Sequence, residues 1–464
     1  MFEGLKKRQA KGISIIVIGC GKVGHTLTEQ LVNEGYDITV IDKSAERVNA
    51  LTDLYDVMGI VGNGASFSVL SEAGIEQADL LIAVTDMDEL NLLCCTVAKR
   101  VGHCAAIARV RAPEYSEEVA YLREKLGLAM IINPDLEAAN EISRILNLPD
   151  ALSVNPFAGG KVEMIRFKVA EGSALAGQNL AAIGRSIDAD ILICAVERDH
   201  EVYIPDGHFA LAAGDVVSVI STVWGARDFF KKIGLLKHPV RNAMLIGGSR
   251  AAYYLAKGLI ENGVKVKIIE KDRANCERLS DLLPEANIIN GDGTDAELLA
   301  EEEIGSAEAV VPLTGLDEEN ILLTLHAADV SDAKVVTKIK RNTFHNVIDK
   351  LNLGSIVYPK YITAEVIVAY VRGLTASIDD DNIETLYHMF DNRVEAVEFK
   401  VREKSDLTGR PLKDLKLRDN LLIACITRGG EALIPGSMDT IEPGDSVIIV
   451  TTHTGMKKLK EILR

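Results

Sequence analysis

The chain has 464 residues, and its 51 Lys and Arg against 68 Asp and Glu set a formal net charge of −17. Hydrophobic residues make up 47% and charged residues 26%, an ordinary globular balance. The longest apolar runs, such as 92–98, fall far short of the roughly 18 residues a membrane span needs. The acidic surplus is spread along both halves and argues against a nucleic-acid binder, whose affinity rests on neutralising phosphates.

The opening Met-Phe-Glu-Gly-Leu-Lys-Lys-Arg is a short basic leader without the apolar segment of a signal peptide. From residue 13 onward, short β-branched runs (13–18, 37–41, 57–61, 80–84, 105–110) alternate with amphipathic helical stretches such as 23–33 and 90–100. That rhythm requires crossover connections and predicts a parallel, doubly wound sheet. Residues 135–146, after Asn133-Pro134, read as a crossover helix. The next segment changes character: strands at 164–169, 192–196, 201–204 and 216–220 lie close together between Pro-Asp-Gly and Ala-Gly-Asp turns, predicting a small α+β module of about 80 residues. Seven cysteines show no C-x-x-C spacing and fall mostly in apolar runs, which suggests reduced, buried thiols in a cytoplasmic protein.

The chain then repeats itself. Gly19 recurs as Gly247 and Asp42 as Glu270, both at an offset of 228; Thr85–Asn91 recurs as Thr314–Asn320 at 229. Glu163, Gly177, Arg198, Pro205 and Asp215 return as Glu395, Gly409, Arg428, Pro435 and Asp445, at 230 to 232. A spacing this steady means two tandem copies of one two-part unit. The expected fold is α/β, with two Rossmann-like parallel-sheet domains (1–134 and 237–360) alternating with a crossover helix and small α+β domain (135–236 and 361–464).

Gly19-Cys20-Gly21-Lys22-Val23-Gly24 fits G-x-G-x-x-G between a strand and a helix. The first glycine permits the turn, the second admits a pyrophosphate to the backbone, and the third allows close packing. The phosphate would rest on the free N–H groups of the helix N-terminus. Asp42 follows the glycines at close to the spacing this fingerprint requires and ends the second strand. A carboxylate there accepts the ribose hydroxyls and repels a 2′-phosphate; the pair points to NAD(H). In the second copy, Gly247-Gly248-Ser249-Arg250-Ala251-Ala252 replaces the middle glycine by Ser249, whose hydroxyl either donates to a phosphate or marks a vestigial site, while Glu270 keeps the carboxylate. Asn63 and Asp292 sit in loops after the third strands, and Thr85 and Thr314 close the fourth. Arg109 and Lys338 end the fifth strands and either neutralise a phosphate or form surface ion pairs. Asp88 and Asp317 begin helices, where the helix dipole accounts for them better than a cation does. A P-loop reading fails because His25 stands at the phosphate lysine, and a nucleophile-elbow reading fails because Ser249 is the counterpart of Gly21. No histidine spacing suggests a metal site.

These residues resemble the Trk-type potassium-uptake regulators, with tandem regulator-of-potassium-conductance modules. The likeness covers about residue 12 to the end and rests on Gly19–Gly24, Asp42, Gly62-Asn-Gly-Ala65, Val84-Thr85-Asp86, Arg109, their second-copy equivalents and the two small modules. The resemblance implies a protein without catalytic activity, cytoplasmic and peripheral on the inner face of the membrane. Such a protein forms a homo-oligomeric, tetrameric ring on a potassium-transporting integral membrane subunit and gates it according to bound nucleotide. It places NAD(H) against Gly19–Val23, Asp42, Val84, Thr85 and Arg109, with an analogous nucleotide in the second copy; ATP and ADP are also family ligands. The basic leader, Lys6, Lys7, Arg8 and Lys11, either meets the anionic membrane surface or the partner or is a solvated tail. The competing classes are a soluble nucleotide or redox sensor of a non-channel partner and an NAD-dependent dehydrogenase. The latter needs a proton donor in a substrate cleft, which the small duplicated modules offer poorly.

Overall fold

The computed structural model describes residues 13–116, 118–148, 150–187, 189–235, 239–340, 345–351, 353–376, 381–390 and 392–464; the basic leader lies outside them. Six strands, β1 (Ser14–Ile18), β2 (Asp37–Asp42), β3 (Met58–Val61), β4 (Leu80–Ala83), β5 (Ala105–Arg109) and β6 (Met130–Ile132), form an all-parallel sheet of order 3-2-1-4-5-6. Helices cover both faces, so the central strands are apolar on both sides; Ile15, Ile16, Val17, Leu80, Leu81 and Ile82 are fully buried. The strand order reverses between β1 and β4, which opens a crevice at their carboxyl ends. Helix α1 (Lys22–Asn33) follows β1 and α2 (Asp88–Val101) follows β4. The short edge strand β6 is absent from the sequence-based expectation because three residues are too few to show a period. Helix α3 (Pro134–Asn147) starts with proline at its first position, its leading N–H groups bonded to the Asn133 side chain at 3.2 Å.

The first small module is a five-stranded antiparallel sheet of β7 (Ser153–Phe157), β8 (Val162–Lys168), β9 (Ile191–Arg198), β10 (Glu201–Tyr203) and β11 (Val216–Thr222), in the order 7-8-11-9-10. The sequence pattern misses β7 because Pro156 interrupts it. Proline is tolerated there because β7 is an edge strand whose outer side needs no donor. The second copy repeats both sheets. β12 (Asn242–Ile246), β13 (Lys265–Glu270), β14 (Asn287–Asn290), β15 (Ala309–Pro312), β16 (Lys334–Lys338) and β17 (Ser355–Val357) reproduce the order 3-2-1-4-5-6, with α4 (Arg250–Glu261) and α5 (Asp317–Val330) in the places of α1 and α2. After α6 (Pro359–Ala376), β18 (Asp381–Met389), β19 (Val394–Val401), β20 (Leu421–Arg428), β21 (Glu431–Leu433) and β22 (Ser446–Thr451) reproduce the small antiparallel sheet.

The chain forms two compact units. One holds the described residues up to Ala138 with Pro359–Val368; the other holds Ala139–Tyr358 and Ala369–Arg464. Within the second unit the two small modules share one apolar core, in which Met164, Cys194, Ala195 and Ile220 meet Ala396, Ala424, Cys425 and Ile448. Polar contacts frame that core: Ala158 N donates to Glu398 Oε2 at 3.1 Å, and Arg393 pairs with Glu197. The paired Arg198–Asp215 and Arg428–Asp445 markers of the repeat are bidentate bridges at 2.7–2.9 Å inside each module, with the carboxylates 2% and 1% exposed. They hold the turn before β11 and β22, a folding role that accounts for their recurrence. All seven cysteines are buried and unpaired by disulfides.

Candidate functional site

The site is built from the carboxyl ends of β1, β2, β4 and β5. Gly19 leaves β1 with φ of +101°, and a Cβ there would stand 2.9 Å from Thr85 N, so only glycine lets the turn pass this close to the end of β4. A Cβ on Gly24 would meet Gly19 O at 1.8 Å, which brings α1 against the turn. Gly21 is different. A Cβ there would meet nothing within 4 Å, and its backbone is extended at φ −70°, ψ −170°. Gly21 is the N-cap residue of α1 and supplies no side-chain cap, and the first turn carries no acidic residue. The leading N–H groups of α1 therefore face an open space at the positive end of a twelve-residue helix, suited to an anion.

Asp42, at the end of β2, accepts from Cys20 N at 2.7 Å and from Ser44 N at 2.9 Å. It ties the glycine turn to the second strand, with Arg47 Nη1 standing 4.0 Å away, outside hydrogen-bond range. The exposed Asn63 forms a local turn, its Oδ1 accepting from Ala65 N at 3.2 Å, and a Cβ on the neighbouring Gly64 would meet Ile18 at 2.3 Å. Val84 is buried beside Thr85. Lys22 is exposed on the first turn of α1, and Val23 is half-buried.

Arg109 is itself buried, 5% exposed, and pairs with the exposed carboxylate of Asp86. Its Nη2 donates to the Thr85 carbonyl and to Asp86 Oδ1, the latter at 3.2 Å, while its buried Nε has no partner. Burial first, and then the neighbouring Arg111 charge, push its pKa down. An anion in the crevice would relieve both costs.

Asn91 escaped the sequence reading, although it closes a segment that recurs in the repeat. Fully buried on α2, it accepts from Thr85 N at 2.8 Å and Thr85 Oγ1 at 2.7 Å. Its amide donates to Thr85 O at 3.1 Å and Arg109 O at 2.9 Å. It fixes the ends of β4 and β5 against each other. Its signal was a polar residue recurring on a helix face otherwise lined by Cys94, Cys95 and Ala98. Asp88 also does more than face a helix dipole: its Oδ2 accepts from Arg111 N and Ala112 N, both at 2.8 Å, and so anchors the loop after β5.

The second copy keeps this frame with different details. Gly247 has φ of +99° and lies as close to Thr314 as Gly19 does to Thr85, and Asn320 ties Thr314 N at 2.9 Å to Lys338 O at 2.9 Å. Glu270 accepts from Gly248 N and Asp272 N, both at 2.7 Å. Lys338 is 4% exposed, again no surface residue, and donates to Leu313 O at 2.9 Å. Asp292 accepts from Thr294 N at 2.9 Å and Thr294 Oγ1 at 2.8 Å, bonds that push its pKa down. Ser249 is the N-cap residue of α4, and its hydroxyl accepts from Ala252 N at 3.4 Å. Arg250 is exposed, and Ala251 and Ala252 are buried.

Each copy therefore presents the elements of a dinucleotide crevice: a glycine turn, a braced carboxylate on the second strand, and a buried cation at the fifth. Among the described residues no group of three or more His, Cys, Asp or Glu side chains is placed to hold a metal ion, and no helix is long and apolar enough to cross a membrane.

Known proteins match this arrangement along almost the whole chain. The family model for the TrkA-N domain matches residues 15–134 and 243–359, and that for the TrkA-C domain matches 164–234 and 396–464. A Trk system potassium uptake protein TrkA homolog of Archaeoglobus fulgidus is 34% identical over 451 residues, 97% of this chain and 100% of the relative. The Trk system potassium uptake protein TrkA of Haemophilus influenzae is 31% identical over 441 residues, 94% of this chain and 95% of the relative. Among solved structures, the GsuK channel bound to NAD superposes with a TM-score of 0.62 at 17% identity, over 97% of this chain and 79% of that one. The GsuK RCK domain does so at 0.63 and 16%, over 96% and 93%. At such identities the structural likeness is one of fold.

Proposed function

From the premise that this chain belongs to the TrkA family of potassium-uptake proteins, we propose that it is the nucleotide-sensing regulatory subunit of a potassium-uptake system. It works at the cytoplasmic face as a homo-oligomeric ring on an integral membrane subunit that conducts potassium, and it catalyses no reaction. NAD(H) is its ligand at the first copy, with ATP and ADP as further ligands of the same crevice type. The observation that carries this reading is the N-terminus of α1, which has no side-chain cap and follows β1 where the strand order reverses, together with a buried guanidinium at the end of β5 whose Nε has no partner.

The chemistry is that of binding. The α1 N–H groups and Arg109 take the pyrophosphate, and the remaining acceptor capacity of Asp42 takes ribose hydroxyls. Bound nucleotide biases the pore only by its differential affinity for two arrangements of the regulator. A tenfold difference shifts the equilibrium by about 1.4 kcal/mol, and full switching needs about 5.5 kcal/mol. The crossover helices α3 and α6 join the two parts of each copy and are the segments through which that bias passes.

The test is recovery of partners from native membranes with the tagged chain, in the presence of NADH, NAD, ATP or ADP. A polytopic potassium transporter is the expected partner, and its absence under every nucleotide would refute the assignment. Steady NADH oxidation by the purified chain with small carbonyl substrates would refute the non-catalytic reading.

A further inference from the structure

The two small modules meet through equivalent turns that are held in different ways. The turn after β7 begins at Ala158 and the turn after β18 at Phe390, 232 residues later, and both residues have φ of +51°. Left-handed backbone is costly for a residue with a side chain, so each turn keeps its shape only where its surroundings hold it. The holding residues stand at one position of the repeat, Arg166 on β8 and Glu398 on β19, again 232 apart. The Arg166 guanidinium lies over the Phe390 ring, 5.8 Å from its centroid, whereas Glu398 Oε2 accepts from Ala158 N at 3.1 Å. Arginine keeps its charge throughout the physiological range; a buried carboxyl does not. Glu398 is 1% exposed, its Oε2 also accepts from Thr385 Oγ1 at 2.8 Å, and its buried Oε1 receives no donor. Beside it stands a second carboxyl. β18 pairs with β19 through Ile383 and Thr385 and skips Glu384, and this bulge sets Glu384 against Glu398, with Ser446 Oγ donating to Glu384 Oε2 at 2.8 Å. The equivalent pairing of β7 with β8 has no bulge, and Leu152 stands at the position of Glu384.

We propose that Glu398 is a proton switch at the joint between the small modules: neutral, it holds the Ala158 turn closed, and ionised beside Glu384 it releases that turn. The groups around it set the direction. Glu384 on β18 presents a like charge, and the Cys425 thiol on β20 also faces it. The cations of the surrounding elements serve elsewhere. Lys400 Nζ donates to Gly444 O at 2.8 Å and Ser446 Oγ at 3.2 Å, Arg428 bridges Asp445, and Lys161 ends beside Gly430. Arg166 Nε donates to Ser153 Oγ at 2.9 Å, and His388 pairs with Glu395 on the opposite face of β19. Burial pushes the Glu398 carboxyl up, the Ala158 and Thr385 bonds act against this, and Glu384 adds to it. A carboxyl raised in the closed joint binds its proton more tightly there than in an open, hydrated one. The closed joint is therefore most stable at and below the ordinary carboxylate range and weakens as pH rises through the raised value.

Hydrogen exchange of the full-length chain, read by mass spectrometry and corrected for the intrinsic pH dependence of exchange, tests this. Protection of the Ala158 turn is expected to fall about fivefold or more between pH 5 and pH 8, and that of the Phe390 turn to change by less than about twofold. Glu398→Gln keeps the acceptor but cannot ionise, and is expected to hold protection of the Ala158 turn constant across that range. Glu384→Gln, at an exposed position, is expected to lessen the fall and covers the case in which the first variant fails to fold. Wild-type protection that does not change with pH overturns the proposal, as does an equal fall at both turns. A fall that persists in Glu398→Gln, or one as large in Glu384→Gln as in the wild type, overturns it too.

Discussion

Gly21→Ala separates binding from folding more cleanly than any other change in the first crevice. The residue has φ −70°, ψ −170°, a conformation open to any amino acid, and a Cβ there meets no protein atom within 4 Å. Alanine is a poorer N-cap than glycine by roughly 0.5 kcal/mol, while the stiffer unfolded chain returns about 0.4–1 kcal/mol. The net effect on stability is therefore close to zero, a shift in unfolding midpoint of no more than about 2 °C. The same methyl group occupies the approach to the α1 N–H groups. Losing two charge-assisted hydrogen bonds at about 1.5 kcal/mol each costs about 3 kcal/mol, on the order of a hundredfold in Kd. Calorimetry with NADH and a thermal melt of the same preparation measure the two effects. An affinity within about threefold of wild type, with an unchanged melt, would remove the pyrophosphate from Gly21 and refute the reasoning. Gly24→Ala is the contrasting control: its Cβ would fall 1.8 Å from Gly19 O, so it should destabilise the sheet edge itself.

Three further outcomes concern buried groups. Asn91→Ala strands Thr85 N and the Arg109 carbonyl and should lower the stability of the first unit by about 2–4 kcal/mol, read as a shift in urea midpoint; Asn320→Ala should act likewise in the second. Glu395, 1% exposed, receives Arg372 at 2.9 and 3.2 Å and His388 Nε2 at 3.2 Å. Burial pushes its carboxyl up, but bonds from His388 and Arg372 outweigh this and hold it at about 2. A depressed carboxyl stabilises the fold above the ordinary carboxylate range. That contribution, on the order of 3 kcal/mol, is lost as pH falls from the ordinary range toward about 2. Glu395→Gln should abolish that pH dependence and, by leaving Arg372 buried without its counter-charge, cost about 3–5 kcal/mol in denaturant titrations. Finally, all seven thiols are buried, and burial pushes Cys20 and Cys94 up to about 12. A disulfide-exchange reagent at pH 8 should label none in the native chain and all seven in denaturant; rapid labelling of the native protein would contradict the packing.

Much of this was legible in one dimension because the signals are local. Strand and helix alternation and the glycine spacing each depend on neighbouring residues, and the duplication exposes which of them recur. The α/β class with its two kinds of sheet followed from that, as did the resemblance to the Trk-type family. What escaped was non-local. Asn91 looks like any helix polar residue until α2 is laid between β4 and β5, where its amide bridges the ends of two strands with a whole helix between them in the chain. Arg109 and Lys338 were ambiguous because a cation at a strand end is buried or exposed according to what lies over it. Strand β7 was hidden by a proline that only an edge position tolerates.

The order of amino acids is enough to establish two copies of one unit, with a turn fit for a pyrophosphate before a helix in the first. Periodicity and glycine spacing are properties of the covalent chain. How alike the two copies are emerges on folding alone. Asn275 carries no signal in the sequence until the folded loops bring it onto Glu270, where the glycine at 248 makes room for it. Whether a carboxylate or a helix end remains open to a ligand depends on which neighbours have already satisfied it, and those neighbours meet only when the chain is folded.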